Sequence, residues 1–131
     1  MERNEKTRAL LAAFGCALAY LLAGKALTVV LPQVPEEAAR MWAFVHRCAA
    51  APIVEELVFR GAIQQLARPL GERQAVALQA VLFAVQHRGP AGMAYALVCG
   101  LVLGTLRSRT GSVWPGMLLH TLNNLLVFAA G

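Results

Sequence analysis

Residues 54–61 read VEELVFRG, two adjacent glutamates and an arginine inside a run otherwise built of Ala, Pro, Ile, Val, Leu and Phe. What surrounds such a cluster decides the fold, because the same charges mean different things in a soluble core and in lipid. The chain has 131 residues, 58% of them hydrophobic and only 15% charged, with a mean hydropathy of +0.56. Soluble domains carry about 25% charged residues, so the composition is that of a membrane protein. The net charge of +5 does not point to nucleic acid, since the basic residues stand in twos and threes between apolar blocks, with no basic stripe and few aromatics among them.

Working outward from 54–61, the apolar blocks fall at about Ala9–Leu31, Met41–Ala67, Ala75–His87, Met93–Leu106 and residues 117–130. Proline, glycine or charge punctuates each junction: PQVPEEAAR (32–40), ARPLGERQ (67–74), RGPAG (88–92) and RSRTGSVWPG (107–116). The first block meets the length of about 20 residues that a bilayer core of about 30 Å requires, and it is too long for the apolar stretch of a signal peptide. The expected architecture is all-α: a polytopic transmembrane bundle of about five helices, with residues 1–40 as an N-terminal span plus connection and 41–131 as a helical core. With the N-terminus inside, Arg3, Lys6, Arg8, Arg68, Arg73, Arg107 and Arg109 lie on the cytoplasmic side against Arg40 and Arg88 outside, the bias expected of a plasma-membrane protein. Trp42 and Trp114 at block ends suit interface anchoring, and His46, Arg47 and Lys25 suit side chains that reach headgroups by snorkelling.

The third and fifth blocks are short for the hydrocarbon thickness, and irregular backbone at membrane depth is tolerated only against protein or a wet cavity. A polar intramembrane cavity follows. An intramembrane charge costs from about 2.5 to over 10 kcal/mol, so Glu55, Glu56 and Arg60 must be paired, hydrated or used. Glu56 and Arg60 are four apart with the acid first, the favoured orientation for a helical pair. Glu55 points about 100° away and stays available.

Two later segments supply partners. FAVQH places Phe83 one turn before His87, and LLHTLNNLL places His120 and Asn124 on one face. Each alone reads equally well as a helix-end histidine or as polar glue between helices. Together they bring a carboxylate, two imidazoles and a carboxamide from three helices, the groups a base, a water site and an oxyanion stabiliser need. The chain has no aspartate, its only serines are Ser108 and Ser112, and HExxH is missing, which excludes an aspartyl dyad, a Ser-His-Asp triad and a zincin motif. Cys16, Cys48 and Cys99 are isolated among small apolar residues and read as packed hydrophobes. Counted from helix ends, Glu55 lies at mid-bilayer and His87 near the outer end, so the two meet only if the third helix ends inside the bundle.

In order, EELVFR, FAVQH and HTLNN resemble the EExxxR, FxxxH and HxxxN motifs of the CPBP (Abi) family of intramembrane glutamic endopeptidases, which includes the CAAX prenyl proteases. The resemblance covers roughly residues 45–130. It implies that Glu55 and His87 activate water, that His120 and Asn124 hold the oxyanion, and that Glu56 and Arg60, with Phe83, shape the site. It implies a membrane-embedded or membrane-adjacent peptide substrate, such as a CAAX-like tail, a bacteriocin leader or a C-terminal sorting segment, with no cofactor and no metal. The competing readings are a zinc protease using Glu55, His87 and His120 as ligands, and a non-catalytic membrane adaptor or immunity protein.

Overall fold

The computed structural model describes residues 2–30 and 35–131. Residues 31–34, which contain the end of the first expected block and the start of the 32–40 connection, lie outside it. Five helices account for the described chain: α1 (Glu2–Val30), α2 (residues 36–66), α3 (Glu72–Ala84), α4 (Gly89–Thr110) and α5 (Trp114–Ala130), with a 3₁₀ turn at Arg68–Leu70 between α2 and α3.

The helix number matches the apolar blocks, but the bounds shift for identifiable reasons. Glu36, Glu37 and Arg40 open α2 instead of belonging to the connection, because Pro35 precedes the first turn and two acids occupy it, where the helix dipole favours negative charge. RGPAG does not separate helices either. Pro90 lies in the first turn of α4, a position where its missing N–H costs nothing. That helix consequently runs 22 residues, well past the expected Met93–Leu106, and stops at Gly111 with φ 69°, a left-handed cap.

Helix α2 changes pitch twice. π-helical turns at His46–Ala50 and Glu56–Ile63 flank the α-helical Ala51–Glu55. Pro52 has no N–H to offer the carbonyl one turn back, and the backbone widens immediately before it. Such widened turns are frequent at functional sites, and here the second begins at Glu56, directly after Glu55.

Burial runs opposite to that of a soluble core. Glu56 and Arg60 are 0% exposed, while Leu11 and Leu126 are 68% and 72% exposed. Small residues hold the helices together. A Cβ on Gly100 of α4 would stand 2.8 Å from the Ala80 Cα of α3, so the two backbones touch there, the close approach that small residues permit between membrane helices. Gln79 Nε2 ties the same pair by donating to the Gly100 carbonyl at 2.7 Å. Ala13 and Ala17 seat α1 in the core beside Phe59, Ile63 and Phe83. By length and apolarity, α1 and α4 qualify as membrane spans. The 13 residues of α3 reach only about 20 Å at 1.5 Å per residue.

Candidate active site

α3 ends at Ala84 after only 13 residues, and the chain turns there. Val85, Gln86 and His87 close this turn with hydrogen bonds back to Val81, Phe83 and Ala84. His87 therefore stands at the depth of Glu55, and the two line one cavity of about 840 Å³ together with His120, Asn124, His46 and Arg47. Two helices, α2 and α5, and the turn after α3 contribute to it.

At its floor lies a chain of polar contacts. Arg60 Nη1 is 3.2 Å from Glu56 Oε1, both side chains fully buried. His120 Nδ1 is 2.9 Å from the same Glu56 oxygen, and its Nε2 is 3.5 Å from Glu55 Oε2. His120 is thus sandwiched between the two glutamates, and Glu56 does more than pair with Arg60: it fixes the imidazole ring. Gly116 makes this possible, since a Cβ there would fall 2.6 Å from Glu56 Oε2.

His87 is oriented by backbone. Its Nδ1 is 3.0 Å from the Phe83 carbonyl, and a carbonyl only accepts, so Nδ1 carries the proton and the neutral ring keeps a lone pair on Nε2. Phe83 is the common support: its ring meets His87 edge-on at 4.7 Å, His120 at 5.9 Å and Phe59 at 5.1 Å, with the Arg60 guanidinium 4.4 Å from its centroid. A buried cation over an aromatic face recovers part of its lost hydration.

Asn124 holds α5 against α2 by donating from Nδ2 to the Arg47 carbonyl at 2.8 Å, while its Oδ1 accepts from Asn123 at 3.3 Å. One Nδ2 hydrogen remains for a ligand. From α1, the Tyr20 hydroxyl neighbours the Glu55 carboxylate, and its ring meets Phe59 edge-on at 5.4 Å.

The structure therefore brings together Glu55, His87, His120 and Asn124, with Glu56, Arg60 and Phe83 beneath them. Among the described residues no group of three or more His, Cys, Asp or Glu side chains is placed to hold a metal ion. Sequence reasoning set His46 and Arg47 at the headgroups in preference to substrate binding and gave Arg40 to an outside loop. Arg40, His46 and Arg47 face this cavity instead of serving only as interface residues. The spacing of Arg40, Arg47, Ala51 and Glu55 at 7, 4 and 4 residues is a single helical stripe and was the available signal. Nothing in the sequence marked Tyr20 or Gly116, because their roles depend on which helix lies opposite.

A family model described as type II CAAX prenyl endopeptidase Rce1-like matches residues 36–126. No curated protein and no solved structure is a match for the chain.

Proposed function

Because the chain belongs to the Rce1-like family of type II CAAX prenyl endopeptidases, we propose that it is an intramembrane endopeptidase of the glutamic type, cleaving a membrane-embedded or membrane-adjacent peptide. The observation that carries this reading is the shared cavity: a carboxylate, two imidazoles and a carboxamide from separate segments line one space of about 840 Å³, within a bundle whose exterior is apolar.

In the proposed reaction a water lies between Glu55 and the lone pair of His87 Nε2. Glu55 takes a proton from it as its oxygen attacks the scissile carbonyl carbon. The carbonyl oxygen becomes an oxyanion, met by the free Asn124 Nδ2–H and, in the doubly protonated ring, by His120 Nε2–H. Donors preset in a low-dielectric site stabilise such a charge far more than water does. Glu55 then passes its proton to the leaving nitrogen, and the C–N bond breaks. Glu56 is the positioning group, holding His120 at Nδ1, with Arg60 offsetting its charge. The basic bias of the N-terminal segment and of the turns around Arg68 and Arg107 supports a cytoplasmic N-terminus in the plasma membrane, and substrates with a C-terminal CAAX-like or sorting segment, or a bacteriocin leader, fit a cavity of this kind.

Glu55→Gln tests the proposal. The amide preserves shape but cannot accept the proton, so cleavage of a fluorogenic peptide by the protein in detergent should fall at least about 10³-fold, in the range of losing a principal catalytic group. Undiminished cleavage by Glu55→Gln would remove Glu55 from the mechanism.

A further inference from the structure

A second polar pocket lies at the other end of α2. It encloses about 310 Å³ between the end of α2, the 3₁₀ turn and the end of α4, and its wall includes Arg60, Gln64, Arg68, Glu72, Arg107 and Ser108. A water takes up about 30 Å³ of liquid volume, so the space suits a larger group.

Its donors are left over. Arg60 is 0% exposed; its Nη1 is ion-paired with Glu56 at 3.2 Å, but its Nε and Nη2 have no partner, and neither has the buried Nε of Arg107. Buried charged donors without acceptors are costly, and this concentration of them in one wall asks for a ligand with several acceptor oxygens. Gln64 Nε2 donates to the Gly104 carbonyl at 3.0 Å and to Ser108 Oγ at 2.9 Å. Ser108 Oγ thereby accepts from Gln64, and its own hydroxyl hydrogen is left to donate.

The charges are unequal. Glu72 is paired with Arg68 at 3.6 Å on the exposed rim, and Glu56 offsets Arg60 from the far side, while Arg107 has no carboxylate partner among the described residues. One guanidinium is in excess. Arg60 is buried inside α2 and Arg68 stands on the exposed 3₁₀ turn that follows it, so the pocket runs from the buried interior to the helix end.

We propose that this inner pocket binds a phosphate group, presented by an anionic phospholipid headgroup or free in solution, with Arg107 and Arg68 at the mouth and Arg60 and Ser108 at the floor. Guanidinium forks match phosphate oxygens bidentately. The site is separate from the cavity at Glu55, so binding here is measurable without any peptidase assay.

The full chain purified in detergent is titrated with phosphatidylglycerol, with phosphatidylcholine and with sodium phosphate, and the melting midpoint is followed. Phosphatidylglycerol should raise the midpoint by about 5 °C or more at saturation and phosphatidylcholine should not. Arg68→Gln with Arg107→Gln should weaken that binding at least about tenfold; the exposed Arg68→Gln alone, which leaves the fold untouched, should weaken it about threefold. A shift given by sodium phosphate that phosphatidylglycerol fails to match would support the anion site and assign it to a soluble ligand. Equal stabilisation by both lipids without a response to phosphate, or wild-type phosphatidylglycerol binding by the substituted proteins, would overturn the proposal. Either result leaves the Glu55 reading where it stands.

Discussion

Replacing Glu56 by Leu probes the contact on which the candidate site is built. Glu56 and Arg60 are both fully buried and 3.2 Å apart, and His120 depends on the same carboxylate oxygen at 2.9 Å. Removing one member of a buried ion pair costs about 3–5 kcal/mol, because the remaining charge is left unpaired in a low-dielectric surround. Arg60 has no other acceptor to turn to, since its Nε and Nη2 have no partner. For a chain of this size the expected fall in melting midpoint is about 10–20 °C. Replacing both members by apolar residues removes the stranded charge, so Glu56→Leu with Arg60→Met should regain most of that loss, giving a coupling of about 2–4 kcal/mol in a double-mutant cycle. Thermal unfolding in detergent of the wild type, the two single variants and the double variant supplies the four corners. If the double variant is as unstable as the sum of the singles, the charges are not interacting and the proposed support of His120 by a neutralised Glu56 fails with them.

Further outcomes follow from the same geometry. Gly116→Ala puts a methyl 2.6 Å from Glu56 Oε2; displacing that carboxylate should cost about 1–3 kcal/mol and lower peptide cleavage at least about tenfold, read by melting and by turnover. Gly100→Val drives side-chain atoms into the Ala80 backbone and should destabilise the protein by about 1–3 kcal/mol without altering substrate affinity in whatever fraction remains folded. His87→Ala should reduce cleavage by about 10²–10⁴-fold with little change in melting, since its only hydrogen bond is to the Phe83 carbonyl in the last turn of α3. Excess chelator should leave turnover unchanged; a loss restored by zinc would favour a metal mechanism over the glutamic one.

Helix count and membrane character were legible because both are local properties: apolar blocks and their punctuation are written residue by residue, and the charge count follows directly. The pairing of Glu56 with Arg60 was legible for the same reason, being a four-residue spacing within one helix. Boundaries were less so. The glycine and proline of RGPAG read as a break, whereas proline in a first turn begins a helix, and only the fold distinguishes the two.

By itself the sequence determined that an acid pair, two histidines and an asparagine would lie on three apolar segments, in an order resembling one protease family. The tertiary structure alone decided that α3 stops short enough to bring His87 level with Glu55, that Glu56 grips His120, and that Arg40, His46 and Arg47 share the cavity wall. The physical reason is that contacts between helices depend on crossing depth and rotation, which arise from the touching backbones at Gly100 and Ala80, the gap left by Gly116 and the widened turns of α2, none of which has a periodicity along the chain.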